Sequence, residues 1–333
     1  LDSSGLNQTD KEVEIQANGT LEINVDSDGD YRKLLTGGCG LIKNGTGDVT
    51  LANDNSGLSG PVQVNGGGLT AVRAGSLGTG EVENNALVSL RYDGLFENKF
   101  SGGGTLAAYG DLTLTGDHSG HNGILAIQFG ELRLGGPYFV SEAEGQVSSG
   151  AVLAGQGRLG SLIVKSGGMV SPGQSIGTIN ISNDLEFQAG GIYMAEVDLA
   201  SGRSDLLMVD GQTSINPSAL LRPTILNGEA MDRGTQYRFK IIGDDTFADD
   251  SLFSLQNRLG WSFSQSLEAD GLYLVLLRNG GAGGGVSVWV CSVGTPNACR
   301  TAEAYDRMVS SGQAGQLGFL GQVLDDLSLA DPN

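Results

Sequence analysis

Residues 47–57 of the chain are GDVTLANDNSG, and residues 110–120 are GDLTLTGDHSG. Seven of these eleven positions are identical without a gap, at an offset of 63 residues. The same offset aligns the apolar alternation of residues 62–69 with that of residues 125–132, and a slip of two residues extends the repeat over most of residues 44–157. We interpret the period as three stacked coils of roughly 21 residues, because coils of that size are typical of solenoid proteins.

Short strands with period-two alternation, separated by Gly, Asn, Asp or Ser, are predicted throughout this repeat. They lie at residues 49–51, 62–64, 69–71, 112–114, 124–127 and 132–134. No stretch before about residue 297 has the apolar stripe of an amphipathic helix, which excludes the alternating β-α folds. The sequence therefore predicts an all-β solenoid with about 13 coils before residue 285, forming a rod on the order of 60 Å long.

The composition excludes several classes of protein. The 333 residues include 55 glycines and only 7 prolines, with 39% hydrophobic and 17% charged residues, which favours a folded and repetitive chain over a disordered one. The formal net charge of −19 disfavours nucleic acid and anionic lipid surfaces as partners. The sequence has no apolar run long enough to span a membrane and no leader pattern, so we expect a processed segment that does not itself insert into a membrane.

From residue 154 onward, the sequence AGQGRLGSLIVKSGGMVSPGQSIGTINISNDLEFQAGGIYMAEVDLASGRSDLLMVDG contains four motifs in order. They are SGG at 166–168, SPGQSIGT at 171–178, a tyrosine strand at 193–198 and SDLLMVDG at 204–211. Their order and intervals resemble the C-terminal passenger region of the classical autotransporters of type V secretion. Three later segments, TQYRFKII, residues 261–267 and GLYLVLLRN, resemble the last strands of that region, so that the resemblance covers roughly residues 44–285.

The resemblance implies a right-handed parallel β-helix that is exported through the periplasm and outer membrane, and is displayed at the cell surface or released. It implies a C-terminal autochaperone region that promotes folding, and an outer-membrane β-barrel, outside this chain, as the passenger's own partner. The motif residues expected to shape the turns are Pro172, Gly173, Ser175, Gly177, Asp205 and Gly211. We expect Asp205 to be structural, with its carboxylate bonded to turn amides.

Residues from about 212 to 279 contain longer predicted strands and a concentration of aromatic side chains. Aromatic residues bury the most apolar area per residue, so this region is interpreted as a cap over the solenoid end, although the last coils could simply hold larger side chains. The residues predicted for the core of this cap and autochaperone are Tyr193, Tyr237, Phe239, Phe253, Trp261, Phe263 and Tyr273.

Three domains are predicted: β-helix coils at 1–160, C-terminal coils and cap at 161–285, and a glycine-hinged helical linker toward the absent barrel at 286–333. Within the linker, Cys291 and Cys299 flank seven residues that a disulfide could close in an oxidising compartment, and two free thiols are the alternative. The third cysteine, Cys39, is interpreted as a small buried apolar residue.

Four motifs suggest chemistry without supporting it. Residues 173–177 fit GxSxG, but no histidine follows residue 121, and residues 155–160 fit GxGxxG without a following helix. His118 and His121 are interpreted as a solvated turn, because a metal site would need further ligands. The aspartates at 244–250 lack the pattern of a calcium-binding repeat and are interpreted as a solvated loop. We therefore predict no catalytic residue, no cofactor and no metal.

Three functions remain open at this stage. The first is a non-enzymatic passenger that acts as an adhesin, self-associates, or binds a host surface or matrix protein. The second is the non-catalytic stalk of an autotransporter whose protease or esterase head precedes Leu1. The third is an unrelated β-helix such as a polysaccharide lyase or glycanase, which normally places paired carboxylates or basic catalytic residues on one sheet face.

Overall fold

The computed structural model describes residues 13–14, 19–38, 40–227, 235–255 and 261–278, and these residues form 32 β-strands and no helix. The first strands are β1 (Val13–Glu14), β2 (Thr20–Asn24), β3 (Gly29–Tyr31), β4 (Leu35–Thr36), β5 (Gly40–Asn44), β6 (Asp48–Leu51), β7 (Val62–Val64), β8 (Gly68–Ala71), β9 (Val82–Asn84), β10 (Leu87–Leu90) and β11 (Gly94–Phe96). They are followed by β12 (Phe100–Gly102), β13 (Thr105–Tyr109), β14 (Leu112–Leu114), β15 (Gly120–His121), β16 (Ile124–Phe129), β17 (Glu131–Val140), β18 (Glu144–Val147), β19 (Val152–Leu159), β20 (Ser161–Val164), β21 (Met169–Pro172) and β22 (Thr178–Ile181). The last are β23 (Leu185–Phe187), β24 (Ile192–Asp198), β25 (Arg203–Ser204), β26 (Leu206–Val209), β27 (Thr213–Ile215), β28 (Leu220–Leu226), β29 (Gln236–Gly243), β30 (Ser254–Leu255), β31 (Trp261–Glu268) and β32 (Gly271–Arg278).

The strands stack in parallel as a β-solenoid, which confirms the predicted fold class. A ten-stranded sheet contributes one strand per coil in the order β27-β23-β20-β18-β16-β13-β10-β8-β6-β3. A six-stranded sheet, β15-β12-β9-β7-β5-β2, and a fourteen-stranded sheet form the other sides, and β1 pairs with β4 separately. The six predicted strands of the repeat all fall within β6, β7, β8, β14, β16 and β17.

The interpretation of the 63-residue repeat as three coils is wrong. Paired residues in successive coils lie 17 to 20 residues apart as far as Ser161, so three coils carry Asp48 through Gly68 and Leu87 only to Thr105. The first copy of the motif therefore forms β6 in the ten-stranded sheet, whereas the second forms β14 in the fourteen-stranded sheet. The repeat is one of strand and turn chemistry, displaced from one side of the coil to the next.

The expected number of 13 coils is also too high. The pairs Leu162–Leu185 and Leu185–Thr213 show that later coils lengthen to 23 and 28 residues, and the chain after Gln236 forms a different structure. The model has about nine turns. At ~4.8 Å per coil, the ten-stranded sheet is on the order of 45 Å long.

The core consists of inward side chains aligned from coil to coil. Val49, Leu69, Val88, Leu106 and Leu125 are paired in register and at most 1% exposed. Each such side chain contributes roughly 1.5–3 kcal/mol by leaving water, which a single coil could not achieve alone.

The six-stranded sheet ends at β15, and another column of strands continues that side of the coil. The crossing is made by the isolated bridge from His118 to Ser141 and by the pairing of Val140 with Arg158 in β19. Beyond it, the second half of β19 pairs with β22, β22 with β26, and β26 with β29. We call this crossing, residues 118–121 against 139–142, the junction.

An antiparallel sheet covers the C-terminal end of the coils. Strand β32 pairs antiparallel with both β29 and β31, and each of the three is eight residues long. Phe239 and Phe263 are 4% and 8% exposed within the common core, where Tyr237 and Trp261 are partly buried. The longer predicted strands are present, and their antiparallel pairing ends the parallel stacking.

Candidate functional site

The most developed polar site is built around the carboxylate of Asp205, which is 0% exposed. Its Oδ1 accepts a hydrogen bond from the Gly177 N–H and its Oδ2 accepts one from the Glu196 N–H, both at 2.9 Å. The backbone N–H of Asp205 donates to the carbonyl of Glu196 at 2.8 Å. One side chain thus joins the SPGQSIGT turn, the tyrosine strand and the start of the SDLLMVDG strand.

Tyr193 connects this site to the cap. Its hydroxyl donates to the carbonyl of Ile241 in β29 at 2.9 Å, and the carbonyl of Asp205 lies 3.2 Å away. Its ring packs against Phe187 and Phe253, with ring centroids 6.0 and 6.1 Å apart. The tyrosine strand is therefore tied to the last parallel coil and to the first strand of the cap.

Two glycines allow the turn before Asp205 to close. Gly173 has a φ of +89°, which favours glycine, and a Cβ on Gly177 would lie only 2.4 Å from the Gly173 Cα. Pro172 is buried beside them at the end of β21, whereas Ser175 is exposed. Because β22 follows this turn, the segment lacks the strand-to-helix geometry of a nucleophile elbow.

The remaining residue of the turn motif, Gly211, supports close stacking of two coils. Its N–H donates to the Asn183 carbonyl at 3.1 Å, and a Cβ there would meet the Asn183 backbone at 2.5 Å. The motif residues thus fill positions at which neighbouring coils approach most closely.

The electrostatics of the site are dominated by burial. Burial raises the pKa of Asp205 to about 7, against the lowering effect of the two N–H donors, and Glu196 raises it further. Burial also raises the pKa of Tyr193 well above its ordinary value. Asp205 therefore titrates near neutral pH, so the carboxyl can respond to pH in the physiological range.

An open groove of about 490 Å³ lies beside this site on the outer face of the fourteen-stranded sheet. It is lined by Glu131, Arg133, Ala154, Ser171, Pro172, Gly173, Gln174, Ser175 and Glu196. Arg133 pairs with Glu131 and lies 3.5 Å from the Gly173 carbonyl. The lining is mostly polar, and its ion pair leaves Glu196 as the further charge.

A second open groove, of about 580 Å³, lies at the cap. It is lined by Asp245, Phe247, Asp250, Leu252, Leu267, Glu268 and Ala269. Asp245, Asp249 and Asp250 are exposed as expected for a solvated loop, but Asp244 is 5% exposed and accepts the Thr246 N–H at 2.6 Å. Among the described residues, no group of three or more His, Cys, Asp or Glu side chains could hold a metal ion.

The expectation that His118 and His121 form a solvated turn is wrong, since they are 1% and 0% exposed. Both rings pack against Phe100, with centroids 5.6 Å and 4.9 Å away. Alternation could have signalled this position, since His121 follows the buried residues Lys43 and Asn84 in the same interior column of paired strands. Polar residues in that column bond corner carbonyls, as Lys43 Nζ does with Asn44, Gly45 and Gly66.

The cap residues predicted from sequence are brought to one end of the molecule. Phe253 is buried, its N–H accepts no role in the coils but donates to Gln265 Oε1 of β31 at 3.2 Å, and Tyr273 packs under the Arg238 guanidinium, 3.7 Å from the ring centroid. Cys39, Cys291, Cys299 and the predicted linker helix lie outside the described residues. No helix long and apolar enough to cross a membrane occurs in the part of the chain that the structure describes.

Comparison with known proteins gives one partial similarity. No family model matches the sequence. The chain is 33% identical over 105 residues to an extracellular serine protease of Serratia marcescens, which covers 32% of this chain and 9% of that protein. The matched part thus spans less than a tenth of the relative. The β-solenoid and this similarity to an extracellular protein are consistent with an autotransporter passenger.

Proposed function

We propose that the chain is part of an exported autotransporter passenger whose solenoid displays a binding surface outside the cell. The observation that supports this most is the meeting of the passenger motifs at one buried site, where Gly177 and Glu196 donate to Asp205 and Tyr193 bonds the cap. The similarity to an extracellular protein supports export.

The proposed activity of the rod is adhesion, either to a host surface or matrix protein or to another copy of the chain. The outer faces of three sheets offer an extended surface, and Phe129 and Leu95 are 68% and 51% exposed on it. A purified chain should be retained by immobilised host matrix proteins or by itself, in surface plasmon resonance and sedimentation. The absence of both kinds of binding would contradict adhesion and leave the rod as a spacer.

The C-terminal part is proposed to promote folding of the coils. Each coil contacts only its neighbours, so a stable end can template the coil next to it. Removal of residues 161–278 should prevent the upstream coils from folding, whereas removal of residues 19–64 should leave the others cooperative in urea titrations followed by circular dichroism. Equal effects of the two deletions would oppose a directional folding role.

A second function is favoured by the enzymatic relative. Because the similar protein of Serratia marcescens is a serine protease of which less than a tenth is matched, this chain could be the stalk that carries a catalytic head. Reading the complete gene product tests this directly. If a protease head exists, Ser175→Ala should leave peptide hydrolysis by the full protein unchanged, whereas loss of activity would place catalysis in the solenoid.

A further inference from the structure

The two histidines of the chain lie together in the interior of the solenoid, where the proposed binding function has no use for them. His118 packs against Phe96, Phe100 and Phe139, with ring centroids 5.7, 5.6 and 5.2 Å away. These phenyl rings belong to β11, β12 and β17, so the imidazole is enclosed by three different strands.

Three of the four ring nitrogens lack a hydrogen-bond partner among the described residues. They are Nδ1 and Nε2 of His118 and Nδ1 of His121. His121 Nε2 lies 3.2 Å from the Gly104 carbonyl, to which it can donate. An imidazolium ion needs two acceptors and is costly to bury, so this enclosure favours the neutral form of both rings.

The nearby charged side chains do not offset that cost. Asp117 is exposed and accepts hydrogen bonds from the Ser119 N–H and hydroxyl, at 3.0 and 2.7 Å. On β12's side, Lys99 is exposed and pairs with Glu81, and Glu97 and Glu142 next to β11 and β17 are exposed as well. No carboxylate therefore enters the phenyl enclosure from the packed strands described.

The pKa values follow from this arrangement. Burial, and secondly the neighbouring His121, lower the pKa of His118 to about 3, whereas Asp117 raises it. Burial also lowers the pKa of His121, against the raising effect of its hydrogen bond with Gly104.

The histidines lie at the junction, where lateral pairing is sparse. Strand β15 has two residues and ends the six-stranded sheet, and the register of β17 shifts between Gly135 and Val140. The bridge from His118 to Ser141 is isolated. Because solenoid coils contact only their neighbours, one such place can open while the rest of the rod stays folded.

We propose that the junction is an acid-responsive joint, in which protonation of His118 and His121 opens residues 94–143 and leaves the coils on both sides folded. The opening would expose the three phenylalanine side chains and divide the rod into two stiff segments. An acidic compartment or surface would thereby change the shape of the displayed rod and the apolar surface that it presents.

The direction of the pH effect follows from proton linkage. Folding lowers these histidine pKa values below the unfolded value of about 6.5, so the open state binds more protons as the pH falls. Stability of the junction is therefore complete above about pH 6.5 and decreases toward pH 3. Between pH 7.4 and pH 4.5, each histidine should shift the closed-to-open ratio by up to ~100-fold.

Two measurements on the whole chain test this proposal. With ¹⁵N-histidine labelling, only two imidazoles give signals, and both should stay neutral in the folded protein down to pH 5. Hydrogen exchange followed by mass spectrometry, corrected for the intrinsic pH dependence, should show loss of protection in residues 94–143 at pH 4.5. Residues 47–90 and 161–215 of the same molecules are internal controls and should keep their protection.

The variant His118→Leu keeps an apolar side chain of similar size and cannot be protonated, so it should recover up to ~100-fold of the protection lost at pH 4.5. His121→Gln should recover a smaller part, because its carbonyl partner remains available. Titration of either imidazole near pH 6.5 in the folded protein would overturn the proposal, even if the variants fail to fold. Equal acid response of the wild type and His118→Leu, or simultaneous loss of protection along the whole rod, would overturn it as well.

Discussion

At the scale of single residues, Asp205 is the side chain on which the C-terminal motifs depend. Its carboxylate accepts two N–H groups from different strands, a task that an asparagine side chain with one acceptor oxygen cannot perform. Asp205→Asn should leave one buried N–H without a partner and lower the free energy of unfolding by about 1–3 kcal/mol at pH 8.

The same substitution should change the pH dependence of stability. Because folding raises the pKa of Asp205 to about 7 from the model-peptide value near 4, the folded state holds a proton between these pH values that the unfolded state has lost. The contribution to stability is full below about pH 4 and decreases as the pH rises to 7. Urea titrations from pH 4 to 8 should show this decrease in the wild type and a flatter profile in Asp205→Asn. Identical profiles would show that the carboxyl does not titrate in this range.

Gly177 tests the close approach within the turn. A methyl group there would meet the Gly173 Cα at 2.4 Å, whereas one at Gly103 would meet only the Asn122 Oδ1 at 3.6 Å. Neither glycine has a positive φ, so the two sites differ mainly in space. Gly177→Ala should cost about 1–3 kcal/mol and Gly103→Ala within about 0.5 kcal/mol, measured by urea unfolding. Comparable losses in both variants would contradict the contact.

At the scale of strands and coils, the sequence predicts each short strand but not the side of the coil that it occupies. Period-two alternation and glycine-rich turns are the same on all three sides, which is why the motif at β6 recurs at β14 in another sheet. Local patterning cannot count residues around a coil whose length changes from 17 to 28.

Buried polar residues are the second point at which the sequence was insufficient. His118 and His121 were placed in solvent because histidine next to Gly and Asp is typical of turns, yet phenylalanines from three strands enclose His118. Only the coil-to-coil register brings these rings together. By contrast, the Asp205 site was accessible from sequence because its partners all lie within the ordered motifs.

Lys43 gives a test of the interior column of polar residues. Its ammonium group donates to three carbonyls within 3.2 Å, and the residue is 0% exposed. Lys43→Met should leave these carbonyls without that donor and cost about 1–3 kcal/mol, whereas Lys99→Met at an exposed ion pair should cost less than about 1 kcal/mol. Thermal and urea unfolding of both variants provide the comparison, and a neutral Lys43→Met would contradict the structural role.

At the scale of the whole molecule, the parallel coils and the antiparallel cap form one continuous hydrophobic core. The net charge of −19 lies on a rod whose interior is nearly all apolar, which favours solubility of an extended surface. The opposite pH responses of Asp205 and the histidine pair place the acid-sensitive part of the rod at the junction and not at the cap.

Export to the cell exterior is the central claim of this account. Antibodies raised against residues 19–278 should label intact cells of the source bacterium or detect the chain in the culture medium, and added protease should remove the surface signal without lysis. Detection of the chain only after the cells are broken open would contradict the passenger function.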